Sequence, residues 1–145
     1  MEIGSMKQLK NTTEVLIRFN EADPLGIVWH GHYIRYFEDG RESFGKEYGL
    51  GYLNFFAEGV VVPIVHTECN YKQSLKFGDT VLVETIYQPC EAAKIIFNYK
   101  LYHGKTKQLV ATGSTTQVFL EKEHQTLLLN NPPFFEEWKK KQLEE

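Results

Sequence analysis

Only one long helix can be read in the body of this sequence, and nearly everything around it reads as strand. Tyr33, Phe37, Gly40, Phe44 and Tyr48 recur at spacings of four, three, four and four, which places them on one face of an α-helix. Gly40 within that stripe lets a neighbouring element approach closely, at a cost of about 1 kcal/mol in helix propensity. Arg35 with Asp39, and Glu42 with Lys46, are opposite charges four apart on the outer face. Gly49 supplies a left-handed stop. A single apolar stripe must be buried, and the rest of the chain has to provide the surface that buries it.

Beyond the helix the period becomes two. Thr13 to Phe19 reads as a first strand, Val60 to Lys72 as a long apolar one with Pro63 at an edge or bulge, and Thr80 to Tyr87 as a third. Lys94 to Tyr102 alternates, His103-Gly104-Lys105 closes a hairpin, and Thr106 to Leu120 follows with Gly113 at a bulge. Hairpin-length connections favour antiparallel pairing. The expected architecture is α+β: a curved antiparallel sheet of about five strands wrapped around one long central helix. Residues 1–145 read as a single domain. Residues 1–11 are expected to be flexible, and a short helix over 131–143 is capped by Asn131-Pro132-Pro133. The connector from Leu50 to Gly59 carries Tyr52, Phe55 and Phe56, too aromatic for a plain loop, and is expected to cover part of a pocket.

Composition removes several function classes. A net charge of -3 gives no electrostatic footprint for nucleic acid or an acidic membrane. Cys69 and Cys90 match no metal or disulfide spacing. With no secretory leader and no apolar run of about 18 residues, membrane insertion is not expected and the default compartment is the cytoplasm. Ten Phe and eight Tyr suggest an apolar groove as well as a core.

The chemistry concentrates just ahead of the helix. In Asp23-Pro-Leu-Gly26-Ile-Val-Trp-His30 the proline forces Asp23 into an extended or turn conformation, Gly26 lets the chain bend, and helical spacing starts from about Trp29. A carboxylate therefore lies beside a helix N-terminus with unpaired N–H groups and partial positive charge. That pairing of a base with an oxyanion site suits attack on a carbonyl. A locally bonded turn aspartate is the competing account. His30 and His32 diverge on a helix and have no third ligand nearby, so no metal is expected. Glu38 and Arg41 read as an ion pair, His66 and Glu68 share a strand face, and no Gly-x-Ser-x-Gly elbow exists.

The run from Asp23 to His30, followed by Tyr33, Tyr36, Glu38 and Arg41, resembles the signature of hotdog-fold acyl-CoA thioesterases. It is most similar to the 4-hydroxybenzoyl-CoA and Tol–Pal-associated groups. Tyr71-Lys72-Gln-Ser74-Leu-Lys76-Phe-Gly78-Asp79 is a weaker match, with Ser74 where such proteins often carry proline. The resemblance implies a homodimer, often paired into a homotetramer, with active sites between subunits and no cofactor. It implies that Asp23 is the catalytic carboxylate, as nucleophile or general base, and that the His30 backbone N–H polarises the thioester carbonyl. It places Gly26, Val28, Trp29, Tyr33, Lys72 and Lys76 around the substrate. Lys94, Lys105 and Lys107 are further cations from which CoA phosphate contacts could come. The function so implied is hydrolysis of an acyl-CoA to a carboxylic acid and free CoA. A carrier-protein thioesterase and a non-catalytic acyl-CoA binder are the alternatives, and the intact Asp23 loop argues against the second.

Overall fold

The computed structural model describes residues 7–144. Strands β1 (Lys10–Leu16), β3 (Ile64–Tyr71), β4 (Thr80–Gln88), β5 (Lys94–His103) and β6 (Leu109–Val118) form an antiparallel sheet in the order β1-β4-β5-β6-β3. Strand β2 (Val60–Val61) pairs separately with β7 (Leu120–Glu121). Helix α1 (His32–Tyr48) packs on one face of the large sheet, α2 (Tyr52–Ala57) lies in the connector, and α3 (Pro133–Leu143) closes the chain.

Four of the five stripe residues, Tyr33, Phe37, Gly40 and Phe44, are buried and are joined by Tyr36, while Tyr48 at the end of the stripe is only partly buried. The sheet meets it with Val81, Val83 and Thr85 of β4 and Phe97, Tyr99 and Leu101 of β5. Phe37 stacks on Tyr99 with ring centroids 4.4 Å apart, and Phe44 meets Phe97 edge-on at 5.0 Å. A Cβ on Gly40 would collide with Thr85 Oγ1 and Val83 Cγ1, so the glycine sets how closely α1 approaches β4.

Several boundaries differ from the sequence reading. Helix α1 begins at His32 with Gly31 as its N-cap rather than near Trp29. The preceding residues are held in extended form by Val28 N–H to Leu75 O (2.8 Å) and Trp29 N–H to Glu21 O (3.2 Å). The first strand runs Lys10–Leu16, not Thr13 to Phe19, because Phe19 enters a 3-10 turn over Phe19–Glu21. The expected flexibility of 1–11 does not hold for 7–11: Lys7 N–H bonds Leu143 O, Leu9 is buried and Lys10 opens β1. The rest of that segment, 1–6, lies outside the described residues.

The strand read over Val60 to Lys72 is split at Val62-Pro63, where proline has no N–H to give a ladder. Gln117 Nε2 donates instead to Val62 O at 2.9 Å. Phe119, fully buried, likewise divides the last long strand into β6 and β7. Gly113 is not a bulge; it pairs in register with Cys69 and Tyr99, and the slips fall at Ile64/His66 and Leu101/Tyr102. Its small size serves contact instead, since a Cβ there would strike the Phe37 ring and Glu68 O. The cap position of α3 is Pro132, and the Asn131 side chain bonds Glu136 rather than the helix backbone. Glu42 pairs with Lys46 at 3.7 Å, but Arg35 turns away from Asp39 to Glu21, also at 3.7 Å.

Candidate active site

The loop ahead of α1 is closed by its own aspartate. Asp23 Oδ1 accepts the N–H of Leu25 (2.8 Å) and of Ile27 (3.2 Å), while Gly26 N–H donates to Asp23 O and Asp23 N–H to Ile27 O, both 2.8 Å. Gly26 sits at φ 82°, the left-handed conformation that makes this turn. One carboxylate oxygen is thereby committed to the loop. Among the described residues nothing bonds Oδ2, and the side chain is exposed.

The Trp29–His30 peptide is fixed from its carbonyl side, where Trp29 O accepts His32 N–H at 3.0 Å. In a trans peptide the N–H points the opposite way. Among the described residues the His30 N–H has no acceptor; His30 stands one residue before the N-cap, Gly31. The next peptide is held as well: His30 O accepts Tyr33 N–H (3.3 Å) and the Tyr71 hydroxyl (2.9 Å). Burial first, then the neighbouring Cys69, push the Tyr71 phenol up to about 12; like any phenol it is protonated at neutral pH, and its one hydrogen goes to His30 O. Tyr33, raised chiefly by burial, donates likewise to Gln73 O at 3.2 Å.

These groups line one open cleft of about 410 Å³, formed by Asp23, Ile27, Val28, Trp29, His30 and Tyr33 on one side and the segment Tyr71 to Ser74 on the other. Trp29, 56% exposed, folds its indole over Gly31, where any side chain would collide with it. The cleft thus gathers Asp23, Val28, Trp29, His30, Tyr33 and Lys72 from the set the sequence proposed.

Two members of that set fall outside the lining. Gly26 shapes the loop from behind, and Lys76 bridges to Ile27 and gives its N–H to Asp79 Oδ2 in the Lys76–Asp79 turn. The other lysines named from sequence, Lys94, Lys105 and Lys107, do not line it either, nor does the exposed His66–Glu68 pair, 3.0 Å apart on β3.

Two residues were missed as site members. Tyr71 holds the His30 peptide; it opens the second, weaker family motif, but nothing in that motif gave it a role at the site. Glu21 is buried, with Oε1 accepting Arg18 N–H (2.8 Å) and the Tyr36 hydroxyl (3.3 Å) and Oε2 3.7 Å from Arg35. It ties the turn before Asp23 to α1, and nothing in the sequence announces that bond. A trio of metal-ligand types occurs at Glu121, Glu123 and His124, but Glu121 already accepts the backbone N–H of the other two.

Comparison with known proteins identifies the family and the fold. The Bacillus subtilis protein YneP, named as an acyl-CoA thioesterase, is 29% identical over 110 residues, covering 76% of this chain and 79% of that protein. The DHNA-CoA thioesterase of Staphylococcus aureus superposes with a TM-score of 0.82 at 25% identity, covering 91% of this chain and 89% of the other. A 4-hydroxybenzoyl-CoA thioesterase bound to 4-hydroxybenzoyl-CoA shares the fold with a TM-score of 0.77 at 20% identity, over 90% and 98% of the two chains. No described helix is long and apolar enough to cross a membrane. The family model of the thioesterase-like superfamily matches residues 17–142, nearly the whole chain, and the protein belongs to that superfamily, with its hotdog fold.

Proposed function

We propose that this acyl-CoA thioesterase acts on an aromatic acyl group through Asp23, with the His30 N–H receiving the carbonyl oxygen. The observation that carries the reading is the split use of one carboxylate: Oδ1 serves the loop, and Oδ2 is left to the cleft. With the thioester carbon beside Asp23, Oδ2 either adds to it, expelling the CoA thiolate and leaving an anhydride that water opens, or takes a proton from a water that adds instead. Both routes yield a carboxylic acid and CoA. Both put negative charge on an oxygen that the His30 N–H, just ahead of the N-cap of α1, stabilises, with the positive end of the helix dipole behind it. Trp29 offers an aromatic wall, and Lys72 a cation for a CoA phosphate. DHNA-CoA and 4-hydroxybenzoyl-CoA, the substrates in the names of the structural neighbours, support an aromatic acyl group.

The working unit in this reading is a homodimer, paired further into a homotetramer, of single-domain subunits in the cytoplasm. Strand β3 is one edge of the sheet and exposes Ile64, Val65 and Tyr71. An unpaired, partly apolar edge is a template for a second strand. Antiparallel pairing of two β3 edges would set the cleft end of one copy, at Tyr71, beside the Ile64 end of the other. The test is a thiol-release assay over aromatic, short-chain and long-chain acyl-CoAs and a carrier-bound ester. Hydrolysis that is fastest with aromatic CoA esters is expected; background rates throughout would overturn the assignment.

A further inference from the structure

The Asp23 loop leans on a second stretch of chain. Residues 75–79 lie behind it, joined by the Ile27–Lys76 bridge, by Phe77 N–H to Gly26 O (3.2 Å) and by Val28 N–H to Leu75 O (2.8 Å). Ile27 is the link to the carboxylate. Its N–H donates to Asp23 Oδ1 at 3.2 Å, and its carbonyl accepts the Asp23 N–H at 2.8 Å. A displacement of the 76–79 turn is therefore passed through Ile27 to the Asp23 side chain.

That turn is closed by one carboxylate. Asp79 Oδ2 accepts Lys76 N–H at 2.9 Å, Asp79 N–H donates to Lys76 O at 3.0 Å, and Gly78 supplies a left-handed φ of 91°. A second element reaches the same oxygen. His103, the last residue of β5, brings Nε2 to 3.4 Å from Asp79 Oδ2, with the two side chains only 19% and 28% exposed. At this distance the contact is long for a hydrogen bond and acts chiefly as attraction between a charge and an N–H dipole, which water screens only in part. His103 Nδ1 accepts the N–H groups of Lys105 and Thr106, both at 3.2 Å. A ring nitrogen that accepts holds no hydrogen, so the N–H of this ring is on Nε2, the side of the carboxylate. The hairpin that carries His103 is itself fixed, with Gly104 N–H on Thr80 O (2.8 Å) and no room for a Cβ against Thr80.

We infer that His103 and Asp79 are positioning residues for the thioesterase site: together they hold the 76–79 turn where it aims the free Oδ2 of Asp23 into the cleft. Neither residue touches the reacting atoms. This role rests on Asp23 being the catalytic carboxylate and adds the support behind it. The competing role for His103 is local, with the imidazole serving only the Lys105 and Thr106 N–H groups of its own hairpin.

Two amide substitutions in the full-length protein separate the roles. His103→Gln places an N–H donor where Nε2 stood and keeps the contact with Asp79. His103→Asn places a carbonyl oxygen where Nδ1 stood, keeps the hairpin bonds and falls short of Asp79. Thiol release is followed with the fastest ester of the panel above. His103→Asn should lower kcat about three- to tenfold with KM within about twofold of native, less than the ~10²-fold that a 1 Å misplacement can cost. His103→Gln should recover most of the native kcat. Added to Asp23→Asn, with enzyme in excess of ester, His103→Asn should cost nothing more, because the group it positions is gone. A native kcat in His103→Asn, an equal fall in both variants, a larger fall in His103→Gln, or the full further loss on top of Asp23→Asn would each overturn the positioning role while leaving the thioesterase reading in place. Near-native turnover in Asp23→Asn itself would remove that reading, and this role with it.

Discussion

The two ends of helix α1 sit in contrasting surroundings. At the C-terminal end Phe44 packs against Tyr48 (4.5 Å), Phe97 (5.0 Å) and Trp138 (6.5 Å). Trp138 Nε1 donates to Tyr48 O at 2.7 Å, the Tyr48 hydroxyl to Lys10 O at 3.0 Å, and Gly49 ends the helix at φ 70° with its N–H on Gly45 O. The orphan carbonyl groups and apolar surface of that end are met from within the fold. At the N-terminal end no side chain caps the helix, Trp29 and His30 are exposed, and the His30 N–H is unpaired among the described residues. A helix end left open is paid for by the packing of the other, and what it leaves free is a place for a developing negative charge.

The contrast predicts that substitutions at the packed end change stability and not chemistry, and that those at the open end do the reverse. Phe44→Ala empties the middle of the aromatic cluster and should cost about 3–5 kcal/mol, measured as a lower urea midpoint, with kcat per folded molecule unchanged. Gly40→Ala forces a methyl group against Thr85 and Val83; overpacking of about 1–3 kcal/mol is set against a helix-propensity gain of about 1 kcal/mol. A modest fall in the melting temperature with native kinetics is expected. Tyr71→Phe removes the hydroxyl from His30 O and should lower kcat by roughly tenfold, at a stability cost of about 1 kcal/mol. An unchanged kcat would show that the His30 peptide needs no such anchor. Lys72→Ala should raise KM several-fold and flatten its salt dependence with little effect on kcat, as expected for loss of one surface phosphate contact.

Much of this contrast was legible in the sequence. The stripe from Tyr33 to Phe44 gave the buried face of α1, because a helix against a sheet leaves little choice of period. Asp23-Pro24 and Gly26 gave the turn, because each restricts or frees the backbone locally. The errors came where tertiary bonds outweigh local preference. Phe19 has strand propensity but is drawn into a turn that Glu21 closes, and Trp29 fits the helical spacing but is held extended by Glu21 O. Lys76 lies close to the loop in space yet contributes its backbone, a distinction that residue type does not carry. Tyr71 and Glu21 reach the site through long-range bonds, to His30 and Tyr36; Tyr71 stands in the second family motif, but a single sequence does not give the partner of either residue.

The most direct test of the open end is Asp23→Asn. An asparagine Oδ1 can keep both bonds to the Leu25 and Ile27 N–H groups, so the loop survives and the charge at Oδ2 alone is lost. In a thiol-release assay on an aromatic acyl-CoA, kcat should fall by about 10²–10⁴. The melting temperature and the affinity for the ester should stay close to native. Turnover within a few-fold of native, in a variant that folds and binds normally, would contradict the account.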